Sequence, residues 1–157
     1  MTKGHLSMAA VLVVGILSGA VLAQSSDPLI GTWKLNAEKS RGVKSGTTKI
    51  EEVSGSVKFT VEAVNADNTP RHWEFSGKYD GKDNPVTGNC PYGDTVDFAQ
   101  VDPRTVRHTF KQDGKVTAVV TIVVAADGKT RTATVKGKDA KGQPVDTVSF
   151  YEKTVGE

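Results

Sequence analysis

The chain has 157 residues, a formal net charge of +2, 24% charged residues and a single cysteine, Cys90. That length suits one domain around one hydrophobic core, and the charged fraction is that of an ordinary folded domain, not of a disordered polyelectrolyte. One cysteine leaves no internal disulfide, which excludes a disulfide-stapled scaffold. The interspersed lysines and acids give no basic run of the kind that tracks a phosphate backbone, so nucleic acid is not an expected partner.

Residues 1–23 read as a cleaved signal peptide. Lys3 and His5 give a weakly basic start, Leu6 to Leu22 carries no charge, and Val21-Leu22-Ala23 places a small residue before Gln24 with Val at −3. A transmembrane anchor is the competing reading, since roughly 17 uncharged residues approach the length that spans a bilayer. Interspersed Gly and Ser and the polar Gln24-Ser25-Ser26-Asp27 favour cleavage, and no cysteine near the junction invites a lipid anchor. The expectation is a periplasmic or secreted protein, with residues 24–157 as one domain and no stable membrane insertion after cleavage.

The mature chain opens on Leu29-Ile30-Gly31-Thr32-Trp33-Lys34-Leu35, and from there it reads as strand, turn, strand. About ten strands are predicted, near 30–36, 46–53, 57–65, 71–79, 84–88, 94–101, 104–111, 115–125, 130–137 and 144–153. Ala37 to Ser45 is the one longer connection, with room for a helical turn. Asp80-Gly81, Asp113-Gly114 and Asp127-Gly128 are strong hairpin signals, because a type I′ turn needs positive φ at both central positions. Between turns the residues alternate: Val57, Phe59, Val61 and Ala63 share a face, as do Trp73, Phe75, Gly77 and Tyr79, and again Val106, His108 and Phe110. Period two with one apolar face describes a sheet buried on one side and wetted on the other. Val116 to Val124 is apolar on both faces, which implies a cover or a protein partner for its outer side.

Tight turns between successive strands give an up-and-down order, and closure removes the two unpaired edges that an open meander would leave. The fold expected is therefore all-β, an antiparallel up-and-down β-barrel of about 8–10 strands. A sandwich is the competing fold, but the connections look too short for Greek-key crossovers.

Gly31-Thr32-Trp33-Lys34-Leu35 and the ending Val148-Ser149-Phe150-Tyr151-Glu152-Lys153 resemble the ends of fatty-acid-binding proteins and other calycins, a lipocalin-like group. Gly31 to Ser40, and Tyr79-Asp80-Gly81-Lys82-Asp83-Asn84-Pro85-Val86-Thr87-Gly88, look closer still to bacterial exported proteins with a lipocalin-like domain and no established activity. The resemblance implies a barrel with an apolar lumen. Two departures bear on the ligand. Ala37 to Ser45 is too short for the helical lid of fatty-acid-binding proteins. Their carboxylate-binding Arg-x-Tyr pair is here Ser149-Phe150-Tyr151, so a bound carboxylate would lose its bidentate partner and a neutral apolar ligand is favoured.

Trp33 reads as a structural plug at one end of the barrel. Trp73, Phe75 and Tyr79 put several large rings on one strand face, either as ordinary core or as the wall of a cavity. His108, between Val106 and Phe110, reads as a core histidine with a hydrogen-bond partner, or else as a polar contact to a ligand. If the lumen is open, Trp73, Phe75, Tyr79, His108, Phe110 and Tyr151 are the expected ligand-binding residues.

His72 and Glu74 share a face with Lys78 that should be solvated, so no metal site is expected there, and His108 alone is a poor basis for haem. No cofactor is implied. Asp94 and Asp97 fall on opposite faces, no nucleophile-elbow, P-loop or zinc-protease signature is present, and no catalytic residue is assigned. Cys90 sits in a loop as a half-buried small residue, or else as a cysteine for intermolecular pairing or a reactive thiol. The function expected is a non-enzymatic binding protein holding a small apolar or amphipathic molecule. The alternative is an envelope interaction protein, an inhibitor or stress factor, with a filled barrel and a partner on the Val116–Val124 strand.

Overall fold

The computed structural model describes residues 27–155; the expected signal peptide, residues 1–23, lies outside them. Ten antiparallel strands follow one another: β1 (Gly31–Asn36), β2 (Val43–Val53), β3 (Ser56–Asn65), β4 (Pro70–Gly77), β5 (Asn84–Gly88), β6 (Thr95–Asp102), β7 (Thr105–Gln112), β8 (Lys115–Val124), β9 (Thr130–Lys138) and β10 (Pro144–Lys153). Each pairs with its neighbours in sequence, and β1 pairs with β10, so the sheet closes on itself as an up-and-down barrel. The connection after β1 is a single 3-10 turn, Ala37–Lys39, capped by the Asn36 carboxamide oxygen, which accepts from the Lys39 N–H (3.2 Å). β2 then starts at Val43, earlier than the sequence pattern suggested, with a register shift between Val43 and Ser45.

The turns refine the reading of the Asp-Gly pairs. Asp113 and Gly114 both have positive φ (52° and 75°), as do Ser54 and Gly55 (52° and 74°), the pattern of a type I′ hairpin. At Asp80-Gly81 and Asp127-Gly128 only the glycine is left-handed (70° at each). There the aspartate carboxylate accepts the backbone N–H two residues on, from Lys82 (3.1 Å) and Lys129 (2.9 Å). That side-chain closure replaces the first positive φ.

Connections alternate between the two ends of the barrel, and the ends differ. One end is shut by the segment that precedes β1. The Asp27 carboxylate accepts from the Leu29 N–H (2.9 Å) and from the Tyr79 hydroxyl (3.1 Å), and Trp33 Nε1–H donates to the Leu29 carbonyl (2.8 Å). Lys153 Nζ donates to the Pro28 carbonyl (3.0 Å) and lies 4.8 Å over the Trp33 ring. Leu29, Trp33, Ile50, Val96, Phe98 and Val124 are buried behind this plug. The other end is framed by the connections that follow β1, β3, β5 and β9, and it stays open.

Alternation fixes which side chains face the lumen. On β10 the two competing parities are decided in favour of Ser149 and Tyr151, which face inward, while Val148 and Phe150 are outside and more than a third exposed. On β8, Ala118, Val120, Ile122 and Val124 are buried; on its outer side Val123 is 43% exposed and no described segment covers it.

Close packing at β9 gives one mutational expectation. Gly137 has φ +133°, and a Cβ there would stand 2.2 Å from the Thr117 carbonyl oxygen. Gly137→Ala should therefore destabilise by roughly 1–3 kcal/mol, the usual cost of a residue forced into sparse backbone space. A urea midpoint unchanged from wild type would show that β8 and β9 separate there without cost.

Candidate functional site: a lumen cavity with a buried guanidinium

The open half of the barrel encloses a cavity of about 460 Å³. Its walls come from the inward positions of β2, β3, β4, β7, β8, β9 and β10, and its mouth from residues 41–43, 65–67, 91–92 and Asp139. That volume falls within the range of small-molecule sites. The two halves of the lumen differ because large rings fill one and small or short side chains (Gly46, Ala63, Val120, Ala133, Thr147) line much of the other.

An aromatic cluster separates the halves. Phe59 and Phe75, cross-strand partners on β3 and β4, stack at 4.9 Å and 6°. His108 meets Phe59 edge-on at 4.8 Å and Phe98 at 4.8 Å, while Phe110 meets Phe75 edge-on at 5.7 Å. Tyr92 reaches in from the β5–β6 connection to Phe110 (5.4 Å) and Trp73 (6.4 Å). Burial pushes the Tyr92 phenol well above its ordinary range, so it stays neutral.

Of the residues expected around a ligand, Trp73, Phe75, His108, Phe110 and Tyr151 all line this one cavity. Tyr79 does not. β4 ends at Gly77, so Tyr79 lies past the strand, where the alternation that placed it beside Phe75 no longer holds. It belongs to the closed end, against Phe98 (6.3 Å) and hydrogen-bonded to Asp27.

His108 departs from the expected core histidine. It is buried, yet its Nε2 has no hydrogen-bond partner among the described residues. Burial, reinforced by the nearby Arg131 charge, holds its pKa down at about 3, so the ring is neutral at ordinary pH.

The sequence reading missed the most polar feature of the lumen. Arg131, the second residue of β9, is only 3% exposed and faces the cavity. It stands directly opposite Tyr151 in the β9–β10 ladder; its guanidinium carbon lies 4.2 Å from the centre of the Tyr151 ring and 5.3 Å from that of Trp33. No carboxylate among the described residues lies within 4.0 Å of it, and its Nε has no hydrogen-bond partner. Burial lowers its pKa to about 10, which leaves it charged at neutral pH. This corrects the argument from Ser149. The guanidinium absent from β10 is supplied by the adjacent strand, so a carboxylate in the lumen would not lack a charged partner. Thr48 and Ser149, both buried, add hydroxyls to the same cavity, and Arg71 lines it with an unpaired Nε.

Cys90 is half-buried near this cluster, and burial raises its thiol to about 11, a protonated and weakly nucleophilic state. His72 sits on the outer face against Glu62, and among the described residues no group of three or more His, Cys, Asp or Glu side chains converges.

No protein-family model and no curated protein matches the chain. The fold is similar to two solved structures. One is a redesigned β-barrel, mFAP1, bound to DFHBI, with TM-score 0.46 and 11% identity over 81% of this chain and 95% of that one. The other is EF1p2_mFAP2b bound to DFHBI, with TM-score 0.46 and 12% identity over 81% of this chain and 94% of that one.

Proposed function

We propose that the protein is an exported, non-catalytic binding protein that holds a small apolar or amphipathic molecule in its lumen. The observation that carries the reading is the half-filled barrel: a continuous cavity of about 460 Å³ above an aromatic floor, open at one end. An empty apolar space forgoes contacts that a filled core would make, and a ligand restores them. A non-catalytic role is supported by His108, whose Nε2 meets no hydroxyl or thiol among the described residues that it could activate. Export rests on residues 1–23. The alternative, an interaction protein with a filled barrel, is favoured only by the uncovered Val123 side of β8 and is opposed by the cavity.

A neutral environment-sensitive dye titrated into the protein should bind at one saturable site. Ala133 lies on the cavity wall. Ala133→Phe should weaken the dye at least tenfold while shifting urea stability by less than about 1 kcal/mol, because the added ring enters open space. In a filled barrel the same change would overpack and cost roughly 1–3 kcal/mol. Absence of any saturable dye site in the wild type would overturn the proposal.

A further inference from the structure

We infer that the outer face of β7–β10 is the contact surface of a weak two-fold dimer, in which a second copy of this chain packs sheet against sheet and Arg107 of each copy meets Asp146 of the other.

The outward positions of the four strands stand in register. One row runs Thr105, Val123, Thr132 and Phe150 and carries no charge. The next runs Arg107, Thr121, Thr134 and Val148, with its one charge at the β7 end. A third runs Thr109, Val119, Lys136 and Asp146, with an acid at the β10 end. Val123, Val148 and Phe150 are 43%, 36% and 38% exposed. Exposed apolar side chains gathered on one side mark an interaction surface, where scattered ones do not.

The outer face of β2–β4 is built differently, because it closes its charges on itself. There Lys49 pairs with Glu51 (2.8 Å), Lys58 with Glu74 (3.1 Å), and His72 with Glu62. Among the described residues, neither Arg107 nor Asp146 has an oppositely charged group within 4.0 Å. Glu152, the other acid on outer β10, already accepts from the Asn36 carboxamide.

Backbone pairing and charge together select the occupant. β7, β8, β9 and β10 are each paired on both sides, so a partner finds no edge to extend and must present side chains from a face of its own. A second copy does this with matching charge. A two-fold axis parallel to the strands, between β8 and β9, lays β7 of one copy over β10 of the other. Sheets packed face to face cross at about 30°, and Arg107 and Asp146 stand one row apart, so the long guanidinium arm spans the offset. Symmetry forms the pair twice, at the two rims of an uncharged centre. Lys136 falls over β8 of the second copy, level with Val119, and meets no like charge there. Four strands about 4.8 Å apart and three rows about 7 Å apart cover roughly 400 Å² in projection. That is short of the ~800 Å² each partner gives to a standard interface, so the two copies dissociate readily. The cavity mouth lies at the end of the barrel, outside this face, and stays open in the pair.

The test is sedimentation equilibrium of the protein over roughly 1–1,000 µM, the range in which so small an interface associates. The weight-average mass should rise from one copy toward two. Val123→Lys, beside the axis, and Arg107→Asp, at the rim, should each weaken association by about tenfold or more, since each sets like charges against one another. Arg107→Asp combined with Asp146→Arg in one chain should restore it to within about threefold of wild type, because the pair re-forms with its signs exchanged. The urea midpoint of each variant checks that it folds, and the charge exchange decides the matter even if Val123→Lys does not. A protein that stays one copy at every concentration overturns the dimer. A dimer that a folded Val123→Lys leaves intact overturns this face, and one that the exchanged charges fail to restore overturns this two-fold.

Discussion

Trp33→Ala should destabilise the protein by about 3–5 kcal/mol, the range for truncating a buried aromatic ring. The ring is fully buried, and three separate arrangements lean on it. Its Nε1–H satisfies the Leu29 carbonyl (2.8 Å), so truncation leaves that acceptor unpaired in the closed end. Lys153 and Arg131 both lie over its face, at 4.8 and 5.3 Å, and both lose a cation–π partner. The hole opens beneath Arg131, where the cavity floor is supported. Urea unfolding monitored by far-ultraviolet circular dichroism measures the effect. A loss below about 1 kcal/mol would show that the segment 27–30 seals the barrel without this ring.

Acid sensitivity is the second large expected effect, and it traces to His108. Its folded-state pKa is depressed to about 3 from an ordinary 6.5, chiefly by burial and secondarily by the Arg131 charge. The unfolded chain therefore takes up a proton below about pH 6.5 that the native protein refuses until about pH 3. A group depressed in this way contributes stability that is complete above the unfolded value and is lost as pH falls through the window from 6.5 to 3. The loss amounts to something on the order of 4 kcal/mol across it. His108→Phe keeps a flat ring among Phe59, Phe75 and Phe98 and removes the titration. Its stability should fall much less between pH 6.5 and 4 than that of the wild type. The carboxylates held low, Asp67, Glu74 and Asp102, are common to both proteins, so they cancel in the comparison. Parallel stability curves for the two proteins would show that His108 is not the acid sensor.

Most of the barrel was legible in the chain because its signals are local. Period-two alternation and turn residues lie within a few positions of the structure they specify, and the edge argument then demands closure. The site was legible only where alternation ran uninterrupted, as at Trp73, Phe75, His108 and Phe110. It failed at Tyr79, two residues beyond the end of β4. It was silent on Tyr92, which arrives from a connection with no periodicity of its own. Arg131 was present in the pattern and overlooked: it shares parity with Ala133 and Val135, and a charge on the apolar parity of a strand is the signal that would have found it. The parity of β10 needed the structure, because Val148 and Phe150 are the more hydrophobic pair and still lie outside. What outweighs them is the partnership of Tyr151 with Arg131 across the ladder, a pairing that no reading of β10 alone contains.

The seam between β1 and β10 sets the order in which the molecule can be assembled. Every other strand finds its partner next to it in the chain, so nine pairings form as local hairpins, each closing a short loop. The tenth joins Trp33 to Lys153 and Asn36 to Phe150, across nearly the whole sequence, and a hydrogen bond from Asn36 Nδ2–H to Glu152 (3.0 Å) bridges 116 positions. Loop-closure entropy makes such a contact slow to form, and it cannot begin before the last strand has left the ribosome or the translocation pore. Until then β1 is an unpaired edge and the lumen is a trough open along its length. Both Tyr151 and the Lys153 that packs on the Trp33 plug arrive with that final strand, so the cavity and its floor come into being in one concluding step.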